Sequence, residues 1–134
     1  MKVVVTGEGK VTVDELTDAF NHHGITPTVI MSPSETGVET TAEEWAAKNS
    51  VKVDSRKPKW GDMTVEKCTP RDGKFGPYNA RAAFNRNDEL AADCDCVMMV
   101  LNDSRSSASI VEAAEKAGKD VYVWPLVEDA DVPF

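Results

Sequence analysis

The chain has 134 residues, 41% of them hydrophobic and 28% charged, with a formal net charge of −8. That is one domain's worth of sequence, able to bury a two- or three-layer core; it holds no apolar run near the ~18 residues of a membrane helix. The acid surplus argues against a non-specific nucleic-acid binder, which needs clustered Lys and Arg, but leaves room for a small anionic ligand held by a few backbone N–H groups.

"KVVVT" (2–6) is a short β-branched run ending at Gly7 and predicts a central first strand; it is too short for a signal peptide, and a cytoplasmic protein is expected. Val13, Leu16, Ala19 and Phe20 recur at helical spacing, and Gly24 closes that helix. "TPTVIMS" (26–32) predicts a second strand and Thr40 to Lys48 a second helix, with Ala42, Trp45 and Ala46 on one face. "VKV" (51–53) is a brief third strand. Residues 54–79 then lose all periodicity, and 61–79 are expected to form a long irregular loop. A helix over roughly 80–93 follows, with Ala83, Leu90 and Ala91 facing inward. "CVMMVL" (96–101) predicts a buried strand, Ser107 to Ala117 a helix, and "DVYVW" (120–124) a last strand stopped by Pro125.

Alternating strands and helices imply an α/β fold with a mainly parallel five-stranded sheet between two helical layers. Such sheets bind ligands beyond the carboxyl ends of their strands. Three loops meet that edge: Gly7–Lys10, Ser32–Gly37 and Asn102–Ser107, each rich in Gly, Ser, Thr or Asp. Cys68, Cys94 and Cys96 leave an odd thiol and lack zinc spacing, which suits packing cysteines in a reducing compartment; no metal and no cofactor is expected. The acidic runs "ETTAEE" and "VEDADV" are expected to be solvated.

Together the loops resemble the SLOG superfamily of Rossmann-like nucleotide-binding proteins, and within it the YspA/YpsA-related branch. The first strand leads into "TGEGK" where that branch has "TGSR". The second leads into "SPSETGVETTAEEWA", in register with "SGGARGVDRLAERWA". Trp60 matches a Trp in an extended segment, and Arg86-Asn87 match an "RN" that opens a helix, with Asp95 eight residues beyond. Ser104-Arg105-Ser106-Ser107 stand where the family has "SxGT". The resemblance covers nearly all of 1–134 except 61–79, as a single domain. It implies a bacterial or phage protein that binds a nucleotide or nucleotide-derived signal. It also implies a ligand set of Gly7, Glu8, Gly9, Ser32, Ser34, Thr36, Gly37, Arg86, Asn87, Ser104, Ser106 and Ser107.

The departures matter too. Pro33 and Ser34 replace glycines of the second loop, and Ser106 replaces another, so hydroxyls and the last helix's N-terminus would hold the anion where bare backbone otherwise would. The phosphoribohydrolase relatives carry a Glu three residues beyond their Gly-Thr, at the position of Ile110 here, and Glu112 lies about 200° around the helix from it. Glu8 and Glu39 are the remaining candidate carboxylates. The expected function is therefore non-catalytic sensing or sequestration of a nucleotide-derived molecule. A glycosidic-bond enzyme acting on nucleotides, of the phosphoribohydrolase or deoxyribosyltransferase kind, and a degenerate protein-interaction scaffold are the alternatives. No nucleic-acid or membrane partner is expected, and homo-oligomerisation stays open.

Overall fold

The computed structural model describes residues 1–7, 10–33, 37–100 and 108–124. They form β1 (Lys2–Gly7), α1 (Val13–His23), β2 (Val29–Ser32), α2 (Gly37–Lys48), β3 (Lys52–Ser55), β4 (Pro70–Gly73), β5 (Gly76–Asn79), α3 (Ala82–Asp93), β6 (Cys96–Val100), α4 (Ala108–Lys116) and β7 (Asp120–Trp124). Strands β3-β2-β1-β6-β7 make one sheet in that order, and every pairing in it is parallel. This is the Rossmann-like three-layer α/β fold, with strand order switching direction at β1 and β6.

The period of two along each strand sorts the core into two halves. Val3, Val5, Ile30, Cys96, Met98 and Val100 face α1 and α2, where Leu16, Phe20, Val38 and Trp45 cover them. Val4, Met31 and Val97 face the other way, onto Leu90, Ala91, Ile110 and Ala114 of α3 and α4. Both faces are buried, which is why these strands are continuous apolar runs. Phe20 meets Trp45 edge-on at 4.8 Å, and the Trp45 indole N–H donates to Thr17 Oγ1 at 2.9 Å, joining α1 to α2.

Local sequence sets the ends. Thr12 and Glu15 form a reciprocal capping box at the start of α1, and Gly24, at φ +66°, closes it. At the amino edge of the sheet, Lys2 N donates to Asp95 Oδ2 at 2.7 Å. Helix α2 starts at Gly37, three residues before the expected Thr40, because Val38 packs one turn ahead of Ala42 on the same buried face. Strand β2 is shorter than expected, beginning at Val29, and β3 runs to Ser55.

The expectation for 61–79 needs correction: its second half is an antiparallel hairpin, with Pro70 opposite Asn79 and Gly73 opposite Gly76. Gly76 sits at φ +115°, where only glycine is at ease, and closes the Lys74-Phe75 turn. Asn79 is fully buried and locks the hairpin to α3. Its Oδ1 accepts from Thr69 N and Arg81 N, both at 3.0 Å, and its Nδ2 donates to the Lys67 carbonyl at 3.3 Å.

Candidate functional site

The carboxyl ends of β1, β2 and β6 form one rim, and the first turns of α2 and α4 rise from it. Gly7 ends β1 at φ +152°, and a Cβ there would stand 2.3 Å from the Val100 carbonyl oxygen of β6. The two strand ends therefore approach too closely for any side chain, a packing reason for glycine that holds whether or not a ligand is near.

Thr6, one residue earlier, shares the parity of Val4 and so belongs to the α3/α4 side of the sheet. Its hydroxyl donates to Glu39 Oε2 at 3.1 Å, and Glu39 comes from the first turn of α2 in the opposite layer. The bond crosses the rim. Glu39 is 1% exposed and is the one buried carboxylate among the described residues. This corrects the reading of "ETTAEE" as a solvated run: its first residue points inward, while Glu44 is exposed.

Arg86 and Asn87 lie one turn into α3, not at its first residue, and both are buried. Side chains lean toward a helix's N-terminus, which here carries the guanidinium toward the rim. Arg86 Nη1 donates to the Pro33 carbonyl at 3.2 Å, just past β2, and Nε donates to Asn87 Oδ1 at 2.9 Å. Asn87 Nδ2 in turn donates to Ser109 Oγ at 3.1 Å, in the first turn of α4. The chain Pro33–Arg86–Asn87–Ser109 thus ties the start of the β2–α2 connection to the foot of α4. Asn87 uses both ends of its amide inside the protein.

Ser32 is fully buried at the end of β2, and its carbonyl accepts from Arg56 N at 2.8 Å. Gly37 opens α2, exposed, with its carbonyl accepting from Thr41 Oγ1 at 3.0 Å. Glu8, Gly9, Ser34, Thr36, Ser104, Ser106 and Ser107 lie outside the described residues.

A cleft of about 450 Å³ opens on the α1/α2 side of the rim. Lys10, Val11, Thr12 and Glu15 form one wall, and Gly37, Thr40 and Thr41 of α2 the other. One cation, one carboxylate, three hydroxyls and an apolar contact thus surround the N-terminus of a 12-residue helix, whose first N–H groups and dipole favour an anion. The carboxylate, Glu15, accepts from Thr12 N at 3.3 Å in the capping box. The first turn of α1 carries Asp14 and Glu15, whereas that of α2 carries Glu39, whose buried carboxylate accepts from Thr6 Oγ1. A second, smaller pocket of about 60 Å³ lies on the other face, where Asn85, Arg86 and Glu89 of α3 meet Lys57, Lys59 and Asn79. The Asn85 Oδ1 is buried and has no hydrogen-bond partner among the described residues, and that pocket has room for the water it calls for.

On α4, Ile110 is 3% exposed and packs into the core with Val4 and Leu90, while Glu112 turns outward to pair with Lys116 at 3.2 Å. Neither places a carboxylate on the rim. Among the described residues no group of three or more His, Cys, Asp and Glu could hold a metal ion, and no helix is long and apolar enough to cross a membrane. Sequence reasoning missed Thr6, Ser109 and the Pro33 carbonyl as parts of the rim. Compared with protein-family models, curated proteins and solved structures, the chain matches none.

Proposed function

We propose that this protein binds a nucleotide or nucleotide-derived signal at the carboxyl rim and does not turn it over. The observation that carries the reading is the cleft between Lys10–Thr12 and the first turn of α2. Its volume of about 450 Å³ falls in the range of small-molecule sites, and it lies where parallel α/β sheets take ligands. A phosphate sits against the α2 N-terminus with Lys10 beside it, and the hydroxyls of Thr12, Thr40 and Thr41 offer partners to a ribose. Arg86 braces the start of the β2–α2 connection from below through the Pro33 carbonyl, and Asn87 positions Arg86. The resemblance to SLOG proteins supports the same ligand class.

A thermal-shift screen against nucleoside mono-, di- and triphosphates, ADP-ribose derivatives and cyclic nucleotides tests this. At least one compound raises the melting temperature, and Lys10→Ala reduces that gain. A flat response across the screen removes the proposal.

One observation favours a second reading, cleavage or transfer at a ribosyl–base bond. Glu39 is a buried carboxylate at the rim, and such groups serve as acid, base or nucleophile in glycosidic chemistry. Long incubation of the protein with nucleoside monophosphates, followed by chromatography, separates the two. Base release that disappears in Glu39→Gln establishes the enzyme.

A further inference from the structure

Charge is segregated along this chain. Residues 57–81 hold six of the fifteen Lys and Arg but three of the twenty-three Asp and Glu, a net +3 that leaves −11 on the rest. This stretch contains the β4–β5 hairpin. It also contains Trp60, 45% exposed, and Phe75, 96% exposed. A lone exposed aromatic is ordinary; here two exposed rings, one at the hairpin's turn and one beside its base, belong to a stretch of net +3.

The hairpin arranges them. Arg71 lies opposite Tyr78, so the two share a face with Gly73. The Tyr78 ring lies over Gly73, where a Cβ would come within 2.9 Å of it. Trp60 meets Tyr78 edge-on, ring centres 6.2 Å apart, and Asn79 N holds the Trp60 carbonyl at 2.7 Å. At the tip, Lys74 Nζ stands 5.7 Å from the centre of the Phe75 ring. Trp60 and the half-buried Tyr78 thus meet at the hairpin's base and Phe75 stands at its turn, with Arg71 and Lys74 nearby and Asp72 the one acid of the hairpin.

We infer that this hairpin is a docking surface for single-stranded nucleic acid. Unstacked bases lie on the exposed rings, and the flanking cations follow the phosphates. Stacking on aromatic side chains is indifferent to sequence because every base has a π-face, which suits a surface with few hydrogen-bonding groups fixed in place. The chain's overall acidity, which argued against such a partner, averages away this local reversal of sign. Phe75, Lys74 and Arg71 line neither the 450 Å³ cleft nor its rim, so the inference stands apart from the nucleotide site.

Fluorescence anisotropy with labelled oligothymidylate and oligouridylate of about 15 nucleotides, within the span such surfaces cover, tests it at low salt. Wild-type protein binds, and binding weakens as salt rises. Phe75→Ala lowers affinity roughly tenfold through lost stacking, with an unchanged melting temperature because the ring lies outside the core. The Arg71→Gln, Lys74→Gln double variant lowers the salt slope by about 1.4, two phosphates' worth for a single strand. No binding, or equal affinity for wild type and Phe75→Ala, overturns the inference. So does equal binding of a matched duplex, or full competition by polyglutamate with no loss in Phe75→Ala, which would mark a general polyanion or acidic-protein surface.

Discussion

Thr6 and Glu39 belong to opposite sides of the sheet, yet the Thr6 hydroxyl donates to Glu39 Oε2 at 3.1 Å across the carboxyl rim. The bond holds α2 at the end of β1 and places a carboxylate where this fold keeps its ligands. Glu39→Ala leaves a buried hydroxyl short of its acceptor, so destabilisation of about 1–3 kcal/mol is expected by urea unfolding. Glu39→Gln retains an acceptor and should recover most of that loss. Equal losses in both variants would mean that the carboxylate's charge, which Gln lacks, rather than shape or the acceptor, holds the contact.

Arg86 couples stability to binding. At 4% exposure, with bonds to Pro33 and Asn87, its guanidinium is part of the packing beneath the rim. Arg86→Ala should lower folding stability by about 1–3 kcal/mol and weaken whichever nucleotide the screen finds. Arg86→Lys keeps a charge but not the forked geometry, and should rescue little. Unfolding curves read alongside calorimetric titration separate the two effects.

Gly7→Ala is expected to cost on the order of 3 kcal/mol, the upper end for overpacking, since the new methyl would meet the Val100 carbonyl at 2.3 Å. Gly24→Ala meets no atom within 4 Å but is strained by its φ of +66°, so a smaller loss of about 1 kcal/mol is expected there. Thermal unfolding of the two variants side by side gives the ranking.

The cysteines should respond unequally. Cys94 and Cys96 are 1% and 0% exposed, whereas Cys68 is half-buried, and all three are free. Desolvation pushes the Cys96 thiol up to about 11 and raises Cys94 as well. A thiol reagent at pH 8 should label one site quickly in the native protein and all three once it is unfolded. Because the folded Cys96 value lies above its ordinary 9.0, its contribution to stability is intact below about pH 9. That contribution is lost as pH climbs toward 11. Cys96→Ala should flatten the alkaline side of the stability profile.

The Arg56 guanidinium holds Asp54 below the usual carboxylate range through bonds of 2.9 and 3.2 Å, and also grips Asp93 at 2.6 Å. A depressed carboxylate stabilises above its unfolded pKa of about 3.9 and loses that contribution as pH falls through the folded value. Asp54 is about a third exposed, so solvent keeps the effect within about 1 kcal/mol. Arg56→Gln should remove a small, salt-sensitive part of the stability near neutral pH and leave the acid limb shallower.

Where burial is two-sided, the sequence shows it. "KVVVT", "VIMS" and "CVMMV" are apolar without alternation because both helical layers cover them, and Thr12 to Gly24 carry both ends of α1 in their own chemistry. The hairpin escapes such reading because "PRDG" and half of "GPYN" are exposed, so no apolar period exists to betray a strand; its order comes from Asn79, a single side chain. Glu39 is hidden for the opposite reason. It sits among acidic neighbours on a helix whose facing is decided by Val38, Ala42 and Trp45, and only the packed fold shows that it shares their side. Arg86 and Asn87 could be singled out as a pair, but their partners Pro33 and Ser109 lie 53 and 22 residues away, beyond any local pattern.

The contact between Gly7 and Val100 also bears on how specificity could change over generations. Where β1 and β6 end, the main chain itself forms the wall, and no residue with a side chain can be installed at Gly7 without prying the strands apart. Any ligand atom that reaches this seam meets amide and carbonyl groups whose identity no codon alters. Under the proposed function, selection among related ligands would act on the flanks, at Lys10, Thr12, Thr40 and Thr41, where replacements leave the seam intact. A lineage could exchange one guest molecule for another there while the middle of its binding edge stayed fixed.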